Sequence, residues 1–180
     1  MTRLPLNTAA LAAELVKRSD ADQAARHAWI AAERDLGGPL PADHAARVAV
    51  HRVDADNTAW LQAFVAEHGW PTFTTFGRDA GRAAWLLCQH AGDLEFMTEC
   101  LTLMSLLIDD DLNEVDPVDV AYLDDRVRMM RGEPQRYGTQ SQSVDGGPET
   151  LWHLDGTRAD VDARRAALGM GPIQAPPAGD

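Results

Sequence analysis

Wound as a helix, the segment Asp79 to His90 is apolar on nearly every side, and this feature restricts most what the chain can build. Such a helix must be enclosed by others. The chain supplies them before and after it, separated by glycine and proline stops. Asn7 or Thr8 can cap a helix through AALAAELVKR. Ser19 with Asp22 imitates a capping box for a second one that ends near Leu36 at Gly37-Gly38-Pro39. A third fits Ala42 to about Val50. Asp54 or Asp56 caps a fourth, which contains Trp60, Leu61 and Phe64 and closes at Gly69. The stretch Thr72 to Phe76 reads as extended or irregular.

Beyond the central helix, Asp93 caps a segment that turns Leu94, Met97, Leu101, Met104 and Ile108 inward. The acidic loop DDDLNEVDP leads to a helix opened by Pro117 and ended by Gly132. QRYGTQSQSV, the turn DGGP and ETLWHL then predict a β-hairpin, and Asp160 to Leu168 a last short helix. No segment repeats at a fixed period. The expectation is a mainly α fold. It is a single-domain helical bundle over residues 1–172, of about seven or eight helices, with a small β-hairpin near the C-terminus and a flexible Pro/Gly tail over 173–180.

Charge narrows the range of partners. Among 180 residues, 16 Lys and Arg face 28 Asp and Glu, a net charge of −12. A surface of that sign repels phosphate backbones and anionic lipid, so no nucleic acid and no membrane is expected as partner. Asn7, Thr8 and Glu14 interrupt the apolar stretch a signal peptide would need, which points to a cytoplasmic protein. Cys88 and Cys100 lie in apolar helical patterns and are expected to be reduced thiols.

Several polar residues sit where chemistry could use them. At about 100° per residue, His90 shares an arc with Ala83, Leu86 and Leu87, while Gln89 falls on the far side beside Trp85. His90 is either a core histidine donating to a carbonyl or a general acid or base in a pocket wall. After Pro117 the stripe is Val120, Leu123, Val127 and Met130, with Asp124 on one flank, Arg126 on the other and Asp125 facing away. Asp124 and Arg126 form either an interhelical network or an orienter for His90 and a clamp for an anionic group. Asn57 shares an arc with Trp60 and reads best as a cap. Asp22, Arg26, Trp29 and Glu33 share a face that reads as a packed, salt-bridged surface. Around Gly138, the residues Gln135, Tyr137, Thr139 and Gln140 either face a ligand or seal the helical core.

Metal and cofactor motifs fail on their spacing. Asp109, Asp111 and Asn113 begin like a calcium loop, but Glu114 replaces the glycine and Val120 the bidentate glutamate. His44 and His51 lack a further ligand of the right spacing. No metal and no cofactor is expected.

DQAAR at 22–26, VDADNTAWL at 53–61, HGWPT at 68–72, AAWLLCQHA at 83–91, YLDDR at 122–126, PQRYGTQ at 134–140 and the late VDARRAALG occur together. In that order and spacing they resemble an uncharacterised bacterial family, domain of unknown function 6624, over roughly residues 14–172. The resemblance singles out Asn57, Trp60, Trp70, Gln89, His90, Asp124, Arg126, Gln135, Tyr137 and Gln140 as motif positions and implies that some of them line one pocket.

The function these residues suggest is a cofactor-independent enzyme using general acid–base chemistry on a small polar amino- or carboxylate-bearing metabolite. The reaction would be hydrolysis, elimination, cyclisation or isomerisation. His90 would move the proton, Asp124 would hold its tautomer, and Tyr137 with Gln89 or Gln140 would stabilise an oxyanion. Asn57, Trp60, Trp70, Gln89, Arg126, Gln135, Thr139 and Gln140 would bind substrate. The alternatives are an acidic, immunity-type protein that masks a basic partner, or a small-ligand sensor in the same pocket.

Overall fold

The computed structural model describes residues 7–110, 114–142 and 150–173. The chain gathers into two compact units, Met1–Val115 and Asp116–Asp180. Its described residues are mainly helical, with seven helices and one small antiparallel hairpin near the C-terminus, as the sequence predicts. None of the helices is long and apolar enough to cross a membrane.

The first unit opens with α1, Thr8–Leu36, whose first turn is capped by Asn7 Oδ1 accepting the Ala10 N–H at 3.1 Å. Sequence reasoning divided this segment at Ser19. The structure runs straight through because no glycine or proline interrupts residues 8–36, where ten alanines favour helix, and a cap at Ser19 would cost hydrogen bonds it cannot replace. The same correction applies to α2, Ala45–His68, a single helix where two were expected. Its cap is His44, whose Nδ1 accepts the Ala46 N–H at 3.2 Å, so Asp54, Asp56 and Asn57 are interior helix positions and not caps.

Between Trp70 and Gly77 the chain forms a one-turn helix, α3 at Phe73–Phe76, where an extended or irregular stretch was expected. The Thr72 hydroxyl caps it by accepting the Thr75 N–H. The central helix α4, Arg78–Gln89, is enclosed as its sequence requires and packs on α1, α2, α3 and α5. Gly81 allows one of these approaches, since a Cβ there would stand 2.6 Å from the Phe73 ring. Helix α5, Leu94–Asp110, is capped by Asp93 Oδ1 on the Phe96 N–H and buries Met97, Cys100 and Met104.

In the second unit, Asp116 caps α6, Pro117–Met130, with proline at its first position. Strand β1, Ser141–Gln142, pairs antiparallel with β2, Thr150–Leu151, in the register Ser141 to Leu151. The turn DGGP lies outside the described residues. Helix α7, Arg158–Ala167, begins with a full capping box between Thr157 and Asp160.

Candidate functional site

Three helices of the first unit bring four ionisable side chains together. Asp22 and Arg26 stand one turn apart on α1, Asp54 projects from α2, and His90 is the C-cap of α4. His90 Nδ1 lies 3.0 Å from both carboxylate oxygens of Asp22. Arg26 Nε reaches Asp22 Oδ1 at 3.2 Å and His90 Nδ1 at 3.0 Å, and its Nη2 reaches Asp54 Oδ1 at 2.6 Å. Gln23 Nε2 donates to Asp22 Oδ2 at 2.9 Å. The Thr58 hydroxyl donates to the carbonyl of Asp54 and to that of Ala91, which fixes α2 against the end of α4.

Asp22 is buried, with 1% of its side chain exposed, so its charge survives only through these partners. Burial pushes its carboxyl up, but the His90 hydrogen bond and charge, with Arg26, pull it below the usual carboxylate range. Asp54 goes the other way. Burial raises it and the neighbouring Asp22 charge adds to the rise, which Arg26 offsets only in part.

Nδ1 cannot serve the Arg26 donor and the Asp22 acceptor in one protonation state. With the proton on Nδ1, His90 donates to Asp22 and Arg26 Nε donates to the same carboxylate; with Nδ1 bare, Arg26 Nε donates to the ring. The first arrangement gives the buried carboxylate a further donor. It leaves Nε2 as the lone-pair nitrogen, and Nε2 makes no hydrogen bond among the described residues on a side chain that is 19% exposed. A histidine oriented by a buried carboxylate, with its other nitrogen open, is equipped to accept and return a proton.

Asp22, Asp54 and His90 also place ligand atoms within 4.8 Å of one another, which is the spacing of a metal site. The Arg26 guanidinium bonds those same three side chains and supplies the cationic charge there.

The other residues picked from the sequence fall into separate places. Asn57 and Trp60 are joined through Arg18, which donates to Asn57 Oδ1 at 3.0 Å and lies 4.7 Å over the Trp60 ring. Trp70 is a core residue. Gln89, expected on the far side of its helix, is buried and engaged. In the second unit Asp124 is held by Arg128 Nε at 3.2 Å, so the carboxylate that meets His90 is Asp22, where Asp124 was expected. Burial raises the Asp124 carboxyl above its usual range despite Arg128. Arg126 is half-buried and has a partner.

Asp125 does not face away. It is fully buried and accepts the backbone N–H groups of Arg136, Tyr137 and Thr139, together with the Thr139 hydroxyl at 2.9 Å. Four donors from one loop offset the cost of burying the carboxylate, which a wheel of apolar residues cannot foresee. Gln135, fully buried, accepts the Gln140 N–H and donates to the carbonyls of Gln140 and Trp152. Arg165 Nη1 ties down the Tyr137 carbonyl at 2.7 Å. Gly138 is required here, with φ +64° and a would-be Cβ 2.6 Å from Ile173. A cavity of about 690 Å³ touches Thr139 and Gln140, but Gln135 and Gln140 bond their own loop, α6 and the Trp152 carbonyl.

The model of one family spans residues 9–176. The chain belongs to DUF6624, a family of unknown function. No curated protein and no solved structure matches it. In this DUF6624 chain, Asp22, Arg26 and Asp54 complete a His90 site that sequence reasoning had read as a packed helix face and a helix cap. The signal was present in DQAAR, whose acid and base stand four apart, and in an aspartate placed mid-helix without a cap to make.

Proposed function

We propose that the protein is an enzyme that uses side chains alone for general acid–base chemistry on a small polar metabolite bearing an amino or carboxylate group. The observation that carries this reading is the 3.0 Å contact of His90 Nδ1 with the buried Asp22 carboxylate. His90 Nε2 takes a proton from the substrate to give an imidazolium, whose Nδ1–H stays on Asp22, and the same nitrogen later returns the proton. Arg26 keeps Asp22 ionised and spans to Asp54.

The test is incubation of wild type and His90→Asn with a panel of small amino and carboxylic acids in D2O, followed by proton NMR and mass spectrometry. Wild type converts at least one compound or exchanges one of its protons, and the variant is slower by about 100-fold or more, the size of a general-base contribution. Equal rates, or no change with any compound, contradict the reading. The net charge of −12 favours a second reading, an acidic protein that masks a basic partner, and salt-sensitive capture of a basic protein without turnover would support it.

A further inference from the structure

A second feature of the first unit lies along the groove between α1 and α2, apart from the four side chains around His90. A cavity of about 570 Å³ opens there. Its lining includes the small, exposed residues Ala21 and Ala49, with the half-buried Val53, and carries Lys17, Arg18 and Arg52 against Glu14 and Asp56. That balance is one positive charge, in a protein whose net charge is −12.

Asn57 reaches this cavity and is 95% buried, its exposure being 5%. Its Oδ1 accepts from Arg18 Nη1 at 3.0 Å, which fixes the amide so that Nδ2 is the other end. Nδ2 is shut away from water with no acceptor among the described residues. A buried N–H in that state is costly and is rare in folded proteins. An oxygen arriving from the cavity would relieve it. Arg18, held by Glu14 at 3.1 Å, Asp56 at 2.7 Å and Asn57, stands beside that amide, and Arg52 has no partner among the described residues.

We propose that the α1–α2 cavity binds a small monocarboxylic acid with an apolar body, its carboxylate received by Asn57 Nδ2, Arg18 and Arg52. The single surplus positive charge matches a monoanion better than a dianion, and Ala21, Ala49 and Val53 in the lining offer no hydrogen bond to a polar tail. Entry requires Arg18 Nη1 to leave Asp56 for the ligand, while its Nε keeps Glu14. The proposal is independent of the His90 reading.

The experiment is an amide NMR titration of the full chain with butyrate, butyramide and inorganic phosphate. Butyrate shifts the Asn57 side-chain amide and the Ala21 and Ala49 backbone saturably, while butyramide and phosphate bind about tenfold more weakly or not at all. Arg52→Ala, a change at an exposed position, weakens butyrate about fivefold. Asn57→Leu, checked for a native spectrum, abolishes the shifts, and His90→Asn leaves them intact. The proposal is overturned by absence of saturable shifts in folded wild type. Equal binding of butyramide, tighter binding of phosphate, or indifference to Asn57→Leu would also overturn it. Loss of binding in His90→Asn would show that the two sites are one and overturn its independence.

Discussion

Asp22 in the first unit and Asp125 in the second are both buried carboxylates, at 1% and 0% exposure, yet they are satisfied in opposite ways. Among the described residues, Asp22 meets only the heads of other side chains, Gln23, Arg26 and His90. Asp125 meets three backbone N–H groups and one hydroxyl from a single loop. Backbone partners make a carboxylate part of the chain's path, because removing it leaves peptide groups stranded. Titratable partners make it part of a proton network, because its charge sets the protonation of its neighbours. Of the two conspicuous polar motifs, QRYGTQ therefore builds a loop, while the His90 cluster forms a titratable network.

The largest effect expected from this contrast is at Asp125. Asp125→Asn puts an amide NH2 among three N–H donors and should lower stability by about 3–5 kcal/mol in urea unfolding. Gln135→Ala, which strands one N–H and two carbonyls, should follow at about 2–3 kcal/mol. A loss under 1 kcal/mol for both would break the distinction.

Asp22→Asn should cost about 2–4 kcal/mol at neutral pH. Its carboxyl is held below the usual range in the fold, so its contribution is present above the unfolded value and is lost as pH falls through the folded one. The difference from wild type should therefore shrink in acid. A gap that stays constant down to the acid limit contradicts the assignment.

Asp54 has the opposite sign. Its carboxyl is raised in the fold, so its contribution is present below the unfolded value and lost as pH rises through the folded one. Asp54→Asn imitates the protonated form and should leave neutral stability unchanged or raise it by up to about 1 kcal/mol. A clear loss at neutral pH would show that the Arg26 ion pair outweighs burial. The smallest effect belongs to Tyr137→Phe. The Tyr137 backbone is pinned to Asp125, but its hydroxyl makes no hydrogen bond among the described residues, so unfolding should shift by less than about 0.5 kcal/mol.

How much of this was legible in the sequence follows from the range of each interaction. The cap at Asp93 and the proline at the start of α6 are local, and the sequence shows them. The enclosure of α4 follows from its composition alone. Ser19 and Asp54 misled because cap chemistry was read without asking whether the flanking chain had any reason to leave the helix. Asp22 with Arg26 was visible as a pair, but the histidine they orient comes from α4, and helical spacing carries no information across helices. Asp125 was misplaced for the same reason, since its donors come from beyond the end of its own helix.

A His90 that works as proposed carries its proton on Nδ1, toward Asp22, and keeps Nε2 free. Long-range nitrogen–proton NMR of selectively labelled histidine reads the tautomer directly. The predicted result is a neutral His90 with Nδ1 protonated and Nε2 bare, and a change in that pattern in Asp22→Asn. Protonation at Nε2, with Nδ1 accepting from Arg26 Nε, would contradict the claim and leave His90 as a structural acceptor.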